Sequence, residues 1–122
     1  MPKILIVEDD AATAWALEQS LSDEGYAITS VDSAEKALAA LREQPFELVI
    51  TDLRLPRMDG LELVRRVQAR KSKASVIVVT AYGNEATLRR LAESGVHASF
   101  EKPFQMDRLR KSVESALKLK AA

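Results

Sequence analysis

The sequence has no cysteine, a single histidine and no surplus of either charge. Without cysteine there are no disulfides, thiol nucleophiles or thiolate metal sites. One imidazole cannot build a zinc site from histidines, and nothing around His97 supports a phosphohistidine, so it reads as structural. With 18 basic against 18 acidic residues the formal net charge is zero. That argues against direct nucleic-acid binding by this domain, because counterion release needs a basic surplus. Long apolar runs are also missing. None approaches the roughly 20 residues of a membrane span, and residues 1–3 lead straight into a strand pattern rather than a signal peptide. No internal repeat, low-complexity tract or linker divides the chain. What is present, 122 residues of which 47% are hydrophobic, suffices for a core without metal or disulfide. The expectation is one soluble, cytoplasmic domain over residues 1–122.

Along the chain, short apolar runs alternate with helical periodicity. Residues 4–7 form a wholly apolar run suited to a strand covered on both faces, and it ends in Glu8, Asp9 and Asp10. Residues 11–24 predict a helix with Ala14, Leu17 and Leu21 inward and Gly25 as its stop. A second strand follows over 26–31. Asp32 or Ser33 then caps a helix over 34–43 with Ala37, Leu38 and Leu41 inward, broken by Gln44 and Pro45. Residues 46–51 predict the third strand, ending at Asp52. The loop through Asp59 and Gly60 carries turn and helix-start chemistry and leads to a helix over 61–69 with Leu63, Val64 and Val67 inward. Lys71, Ser72 and Lys73 form a polar connection. Residues 75–79 are the most β-prone run, Asn84 caps a helix containing Leu88, Leu91 and Ala92, and Gly95 stops it. A weaker fifth strand over 96–100 and a last amphipathic helix marked by Met106, Leu109, Val113 and Leu117 complete the pattern. Five strands alternating with five helices predict a doubly wound α/β fold, a parallel sheet with helices on both faces.

Ligands of such sheets bind at the C-terminal ends of the strands. Those tips gather Glu8, Asp9 and Asp10 with Asp52, and bring Thr80 and Lys102 from the fourth and fifth strands. Two carboxylates about 4 Å apart repel by roughly 4 kcal/mol at an effective dielectric near 20, so the cluster implies a positive partner. Oxygen-only donors favour a hard divalent cation, Mg²⁺. An acid beside a metal, a hydroxyl and a lysine can accept a phosphoryl group: the carboxylate attacks phosphorus while metal and ammonium stabilise the oxygens.

These motifs resemble the receiver domain of bacterial two-component response regulators over essentially the whole chain. The matching residues are Glu8-Asp9, Asp52 within Thr-Asp-Leu-Arg-Leu-Pro-Arg-Met-Asp-Gly, Thr80-Ala81, and Lys102-Pro103-Phe104. The resemblance implies a flavodoxin-like (βα)5 fold with strand order 2-1-3-4-5. It implies that Asp52 is phosphorylated by a histidine kinase or a histidine phosphotransfer protein, with Mg²⁺ or Mn²⁺ as cofactor. Asp9 would bind the metal directly, Glu8 mainly through water, Arg54 through its backbone carbonyl, and Asp10 as a weaker third acid. Thr80 would swing toward the phosphoryl group, Lys102 would pair with it, and the Lys102–Pro103 bond would be cis. The domain would be a phosphoacceptor with self-catalysed phosphotransfer and autodephosphorylation, not a turnover enzyme. Its phosphorylated state would change binding to a downstream protein or to an effector domain outside this sequence, and the family also offers a phosphorylation-dependent dimer.

One position departs from the family. An aromatic residue usually stands three places before the lysine as a rotating reporter of phosphorylation; here it is Ser99, and Phe100 next door should face the other side of the sheet. Tyr82 lies at the rim and is the candidate to replace it and, with Arg54, to screen the acyl phosphate from water. Trp15 falls on the face of the first helix opposite Leu17, beside Glu18, Gln19 and Ser22; it is either a partner contact or a partly buried ring against a neighbouring helix. Arg108, Arg110 and Lys111 read as a docking patch or as solvated charge, and Met58 and Met106 as packing residues. Three other functions remain. An aspartyl phosphatase would need a general acid two residues after Asp52, where Arg54 stands. A flavodoxin-like cofactor carrier would need a phosphate loop where three acids stand. A receiver-shaped interaction module would never become phosphorylated.

Overall fold

The computed structural model describes residues 1–70, 74–81 and 84–121. The connection read at Lys71, Ser72 and Lys73, and Tyr82, lie outside them. In chain order the described elements are β1 (Lys3–Val7), α1 (Ala11–Asp23), β2 (Ala27–Val31), α2 (Ala34–Glu43), β3 (Leu48–Thr51), α3 (Gly60–Ala69), β4 (Ser75–Thr80), α4 (Glu85–Ser94), β5 (Ala98–Glu101) and α5 (Met106–Ala121). The strands form one parallel sheet in the order β2-β1-β3-β4-β5, as the resemblance implied. Every element arises where the periodicity placed it, and the differences lie at the ends. β3 begins at Leu48 rather than residue 46, and β5 covers Ala98–Glu101 rather than 96–100. No described helix is long and apolar enough to cross a membrane.

Alternation along the strands divides the core in two. Leu5, Val7, Val49, Val76 and Val78 face α2, α3 and α4, where they meet Leu38, Leu41, Leu63, Val67 and Leu91. Ile4, Ile6, Ile50, Ile77 and Val79 face α1 and α5 and meet Leu17, Leu21, Leu109 and Val113. Ala116, which the sequence pattern passed over, is fully buried on α5, whereas Ala92, expected inward on α4, is exposed. Met58 and Met106 are half-buried and pack against the two cores, as expected of them.

The helices start where short polar side chains close their first turns. Asp10, Ser33, Asp59 and Asn84 are the N-caps of α1, α2, α3 and α4. Ser33, not Asp32, caps α2; Asp32 instead pairs with Lys36 at 2.9 Å. Gly95 ends α4 at φ 89°, a left-handed conformation that glycine adopts without cost. Arg110 does not belong to a free basic patch. Its Nη1 donates to Ser20 Oγ at 2.8 Å and its Nε lies 3.8 Å from Glu24, tying α5 to α1, while Arg108 and Lys111 are exposed.

Candidate functional site

β1 and β3 lie side by side, with Val7 in register with Thr51, so the residues that follow them emerge together at the C-terminal edge. There Glu8, Asp9 and Asp52 each present a carboxylate oxygen, all within 4.8 Å of one another. Glu8 and Asp52 are buried, at 4% and 7% exposure, and Asp9 is exposed. β5 brings in Lys102: its Nζ donates to Glu8 Oε1 at 2.5 Å and to Asp52 Oδ2 at 2.8 Å. These residues line a cleft of about 490 Å³ with Asp10, Arg54, Leu55, Pro56 and Ala81.

The charges are arranged by burial. The Glu8 carboxyl is raised above its ordinary range, first by burial and also by the Asp52 charge; the hydrogen bonds from Lys102 and from the Asp10 amide only partly offset this. Lys102 loses hydration too, but its hydrogen bonds to Asp52 and Glu8 outweigh that loss and raise its pKa. One ammonium thus pairs with two of the three carboxylates. The donor set is oxygen only, so a hard divalent cation fits it, with Glu8, Asp9 and Asp52 as the residues that would hold it.

Asp10 departs from the expectation of a weaker third metal acid. Its Oδ2 accepts from the Thr13 amide at 3.0 Å and the Thr13 hydroxyl at 2.5 Å, and these bonds hold its carboxyl below the usual range. The carboxylate therefore closes the first turn of α1, and the Asp10 amide donates to Glu8 Oε2 at 3.0 Å. Both Glu8 oxygens are engaged, one by Lys102 and one by this amide.

Asp52 is held on every side. Its amide donates to the Val7 carbonyl at 3.1 Å, its carbonyl accepts from the Thr51 hydroxyl at 2.8 Å, and its Oδ1 accepts from the Arg54 amide at 3.0 Å. The Arg54 side chain is exposed and Arg54 lines the cleft. Thr80 stands at the tip of β4 fully buried, and Ala81, not Thr80, lines the cleft; the Thr80 carbonyl accepts from the Lys102 amide at 2.9 Å. The Lys102–Pro103 peptide is cis. Ser99 is exposed opposite Val78, while Phe100 points to the other face and packs its ring against Phe104 with centroids 6.5 Å apart. Trp15 is 63% exposed, which excludes the partly buried alternative, and it borders a groove with Glu8, Asp9, Glu18, Asp32 and Lys36.

Two residues of the site escaped sequence reasoning. Thr51 enters the sequence pattern as a strand end and as the first residue of the matching motif, with no role of its own, although a hydroxyl directly before the acid is an available signal. Gly60 was read as a helix start, yet its Cα lies so close to the Asp52–Leu53 backbone that a Cβ would stand 2.4 Å from Leu53 Cα and 2.7 Å from the Asp52 carbonyl oxygen.

A profile of the response regulator receiver domain matches residues 4–114. The chain is 34% identical over 115 residues to the transcriptional regulatory protein FixJ of Bradyrhizobium diazoefficiens, a match covering 94% of this chain but 56% of that protein. The chain thus spans about half of FixJ. It is 33% identical to the sporulation initiation phosphotransferase F of Bacillus subtilis, over 98% of this chain and 96% of that one. Among solved structures, the non-phosphorylated HemR receiver domain of Leptospira biflexa superposes with a TM-score of 0.88 at 27% identity, covering 95% of this chain and 94% of that one.

Proposed function

Because the chain belongs to the response regulator receiver domain family, we propose that residues 1–122 form one such domain and that Asp52 accepts a phosphoryl group from a histidine kinase or a phosphotransfer protein. The observation that carries this reading is the Asp52 carboxylate at the tip of β3, opening on the cleft with the Lys102 ammonium 2.8 Å away and Glu8 and Asp9 beside it. An Asp52 oxygen attacks phosphorus, the bond from phosphorus to the donor imidazole nitrogen breaks, and its electron pair stays on that nitrogen. Glu8, Asp9, Asp52 and the Arg54 carbonyl would hold Mg²⁺ or Mn²⁺, which would supply positive charge to the phosphoryl oxygens. Lys102 exchanges its contact with the Asp52 carboxylate for one with a phosphoryl oxygen, and the Thr80 hydroxyl turns out of the core toward another.

The same site returns the phosphoryl group to water, so the domain cycles without an external substrate to turn over. The phosphorylated state alters binding to a downstream protein, to an effector domain or to a second copy of the chain. Ser99 cannot act as an aromatic reporter in this.

The test is incubation with Mg²⁺ and acetyl phosphate followed by intact mass measurement. The expected result is one added phosphoryl group on the wild type and none on Asp52→Asn. No adduct on the wild type, or an adduct that persists in Asp52→Asn, overturns the reading and favours an interaction module that phosphorylation does not govern.

A further inference from the structure

Thr51 is 1% exposed, the last residue of β3, in register with Val7 on one side and Val78 on the other, and both valines belong to the apolar core beneath α2 and α3. A hydroxyl in such surroundings needs a partner, and valine would match the site in shape without needing one. The partner is the Asp52 carbonyl oxygen, at 2.8 Å. That oxygen also lies close to Gly60, whose missing Cβ would stand 2.7 Å from it, and Gly60 in turn donates its amide to the Leu53 carbonyl at 3.0 Å. The Asp52–Leu53 peptide is therefore clamped between a hydroxyl and the start of α3.

The orientation of that peptide sets the next one, which carries the Arg54 amide that donates to Asp52 Oδ1. We infer that Thr51 is a positioning residue for the phosphoacceptor: its hydroxyl fixes the peptide that aims the Asp52 carboxylate and the Arg54 backbone into the cleft. The inference rests on the reading of Asp52 given above. The contact is made through the backbone of Asp52, so it persists while Lys102 leaves the carboxylate. Without it the buried carbonyl lacks that donor, and the peptide turns toward another.

The experiment compares Thr51→Val, Thr51→Ser and the wild type in the full chain by calorimetric titration with Mg²⁺, acetyl phosphate labelling followed by intact mass, and thermal melting. Thr51→Val is expected to melt close to the wild type but to bind Mg²⁺ and take up phosphoryl groups about tenfold less well, the lower end of what outer partners of metal ligands contribute, while Thr51→Ser restores both. Equal values for valine and wild type, an equal loss in serine and valine, or no Mg²⁺ binding by the wild type overturns the inference. Should Thr51→Val fail to fold, Thr51→Ala against Thr51→Ser decides by the same criteria. A wild type that binds Mg²⁺ but takes no phosphoryl group refutes the functional reading alone, and the Mg²⁺ affinities still decide the role of Thr51.

Discussion

Lys102 carries the positive charge at the centre of the site, bonded to two of the three carboxylates that would hold a metal. Its ammonium bridges Glu8 and Asp52 at 2.5 and 2.8 Å, offsetting a repulsion worth roughly 4 kcal/mol for two unit charges about 4 Å apart at an effective dielectric near 20. Lys102→Met leaves that repulsion to Mg²⁺ alone. A tenfold gain in Mg²⁺ affinity adds about 1.4 kcal/mol at saturation, or roughly 5–6 °C in a domain of this size. The rise in melting temperature on adding Mg²⁺ is therefore expected to exceed that of the wild type by this amount, while acetyl phosphate labelling slows. A rise no larger than the wild type's would show that ammonium and metal do not compete. The partners of Lys102 were legible because strand tips converge. The fate of Asp10 was not: a carboxylate at a helix start is free to hold a cation or to cap the helix, and the Thr13 hydroxyl and amide commit it to the cap.

At the scale of elements, the segment from β3 to α3 does the positioning. Asp59 caps α3 by accepting from the Leu61 amide at 3.0 Å, and Gly60 lets the helix start lie against the Asp52–Leu53 backbone. The contrast with Gly25 makes this testable. Gly25 has φ 90° but nothing within 4 Å of the point where an added methyl would stand, so its cost on substitution is conformational only. Gly25→Ala is expected to lose about 1 kcal/mol in urea unfolding and to label normally. Gly60→Ala must push backbone apart, is expected to lose about 1–3 kcal/mol, and displaces the peptide that aims Asp52, so its labelling slows as well. Normal labelling of a folded Gly60→Ala would separate α3 from the site. The Asp-Gly pair announced a turn and a helix start in the sequence, but a backbone approach between residues 53 and 60 is a tertiary fact that no local pattern carries.

The molecule as a whole is a sheet with a core on each face and its chemistry on the shared edge. Period-two alternation in the strands and the apolar stripes of the helices made both cores readable, and the strand order followed from the resemblance. The pattern left Trp15 open between an exposed contact and a partly buried ring, and the structure exposes it, as it does Ser99. The sheet separates what packs on its two sides: Val67 on α3 belongs to one core and Val113 on α5 to the other, each almost wholly buried. Val67→Ala and Val113→Ala are each expected to cost about 2 kcal/mol, from two lost methylene equivalents and the cavity left behind. Because no described side chain is shared between the cores, the double variant should cost the sum to within about 0.5 kcal/mol. Urea unfolding of the four proteins measures this. A coupling well beyond that value would mean that the strands transmit strain from one face to the other, giving the edge that carries Asp52 a route to α5 that does not pass through β5 or Ser99.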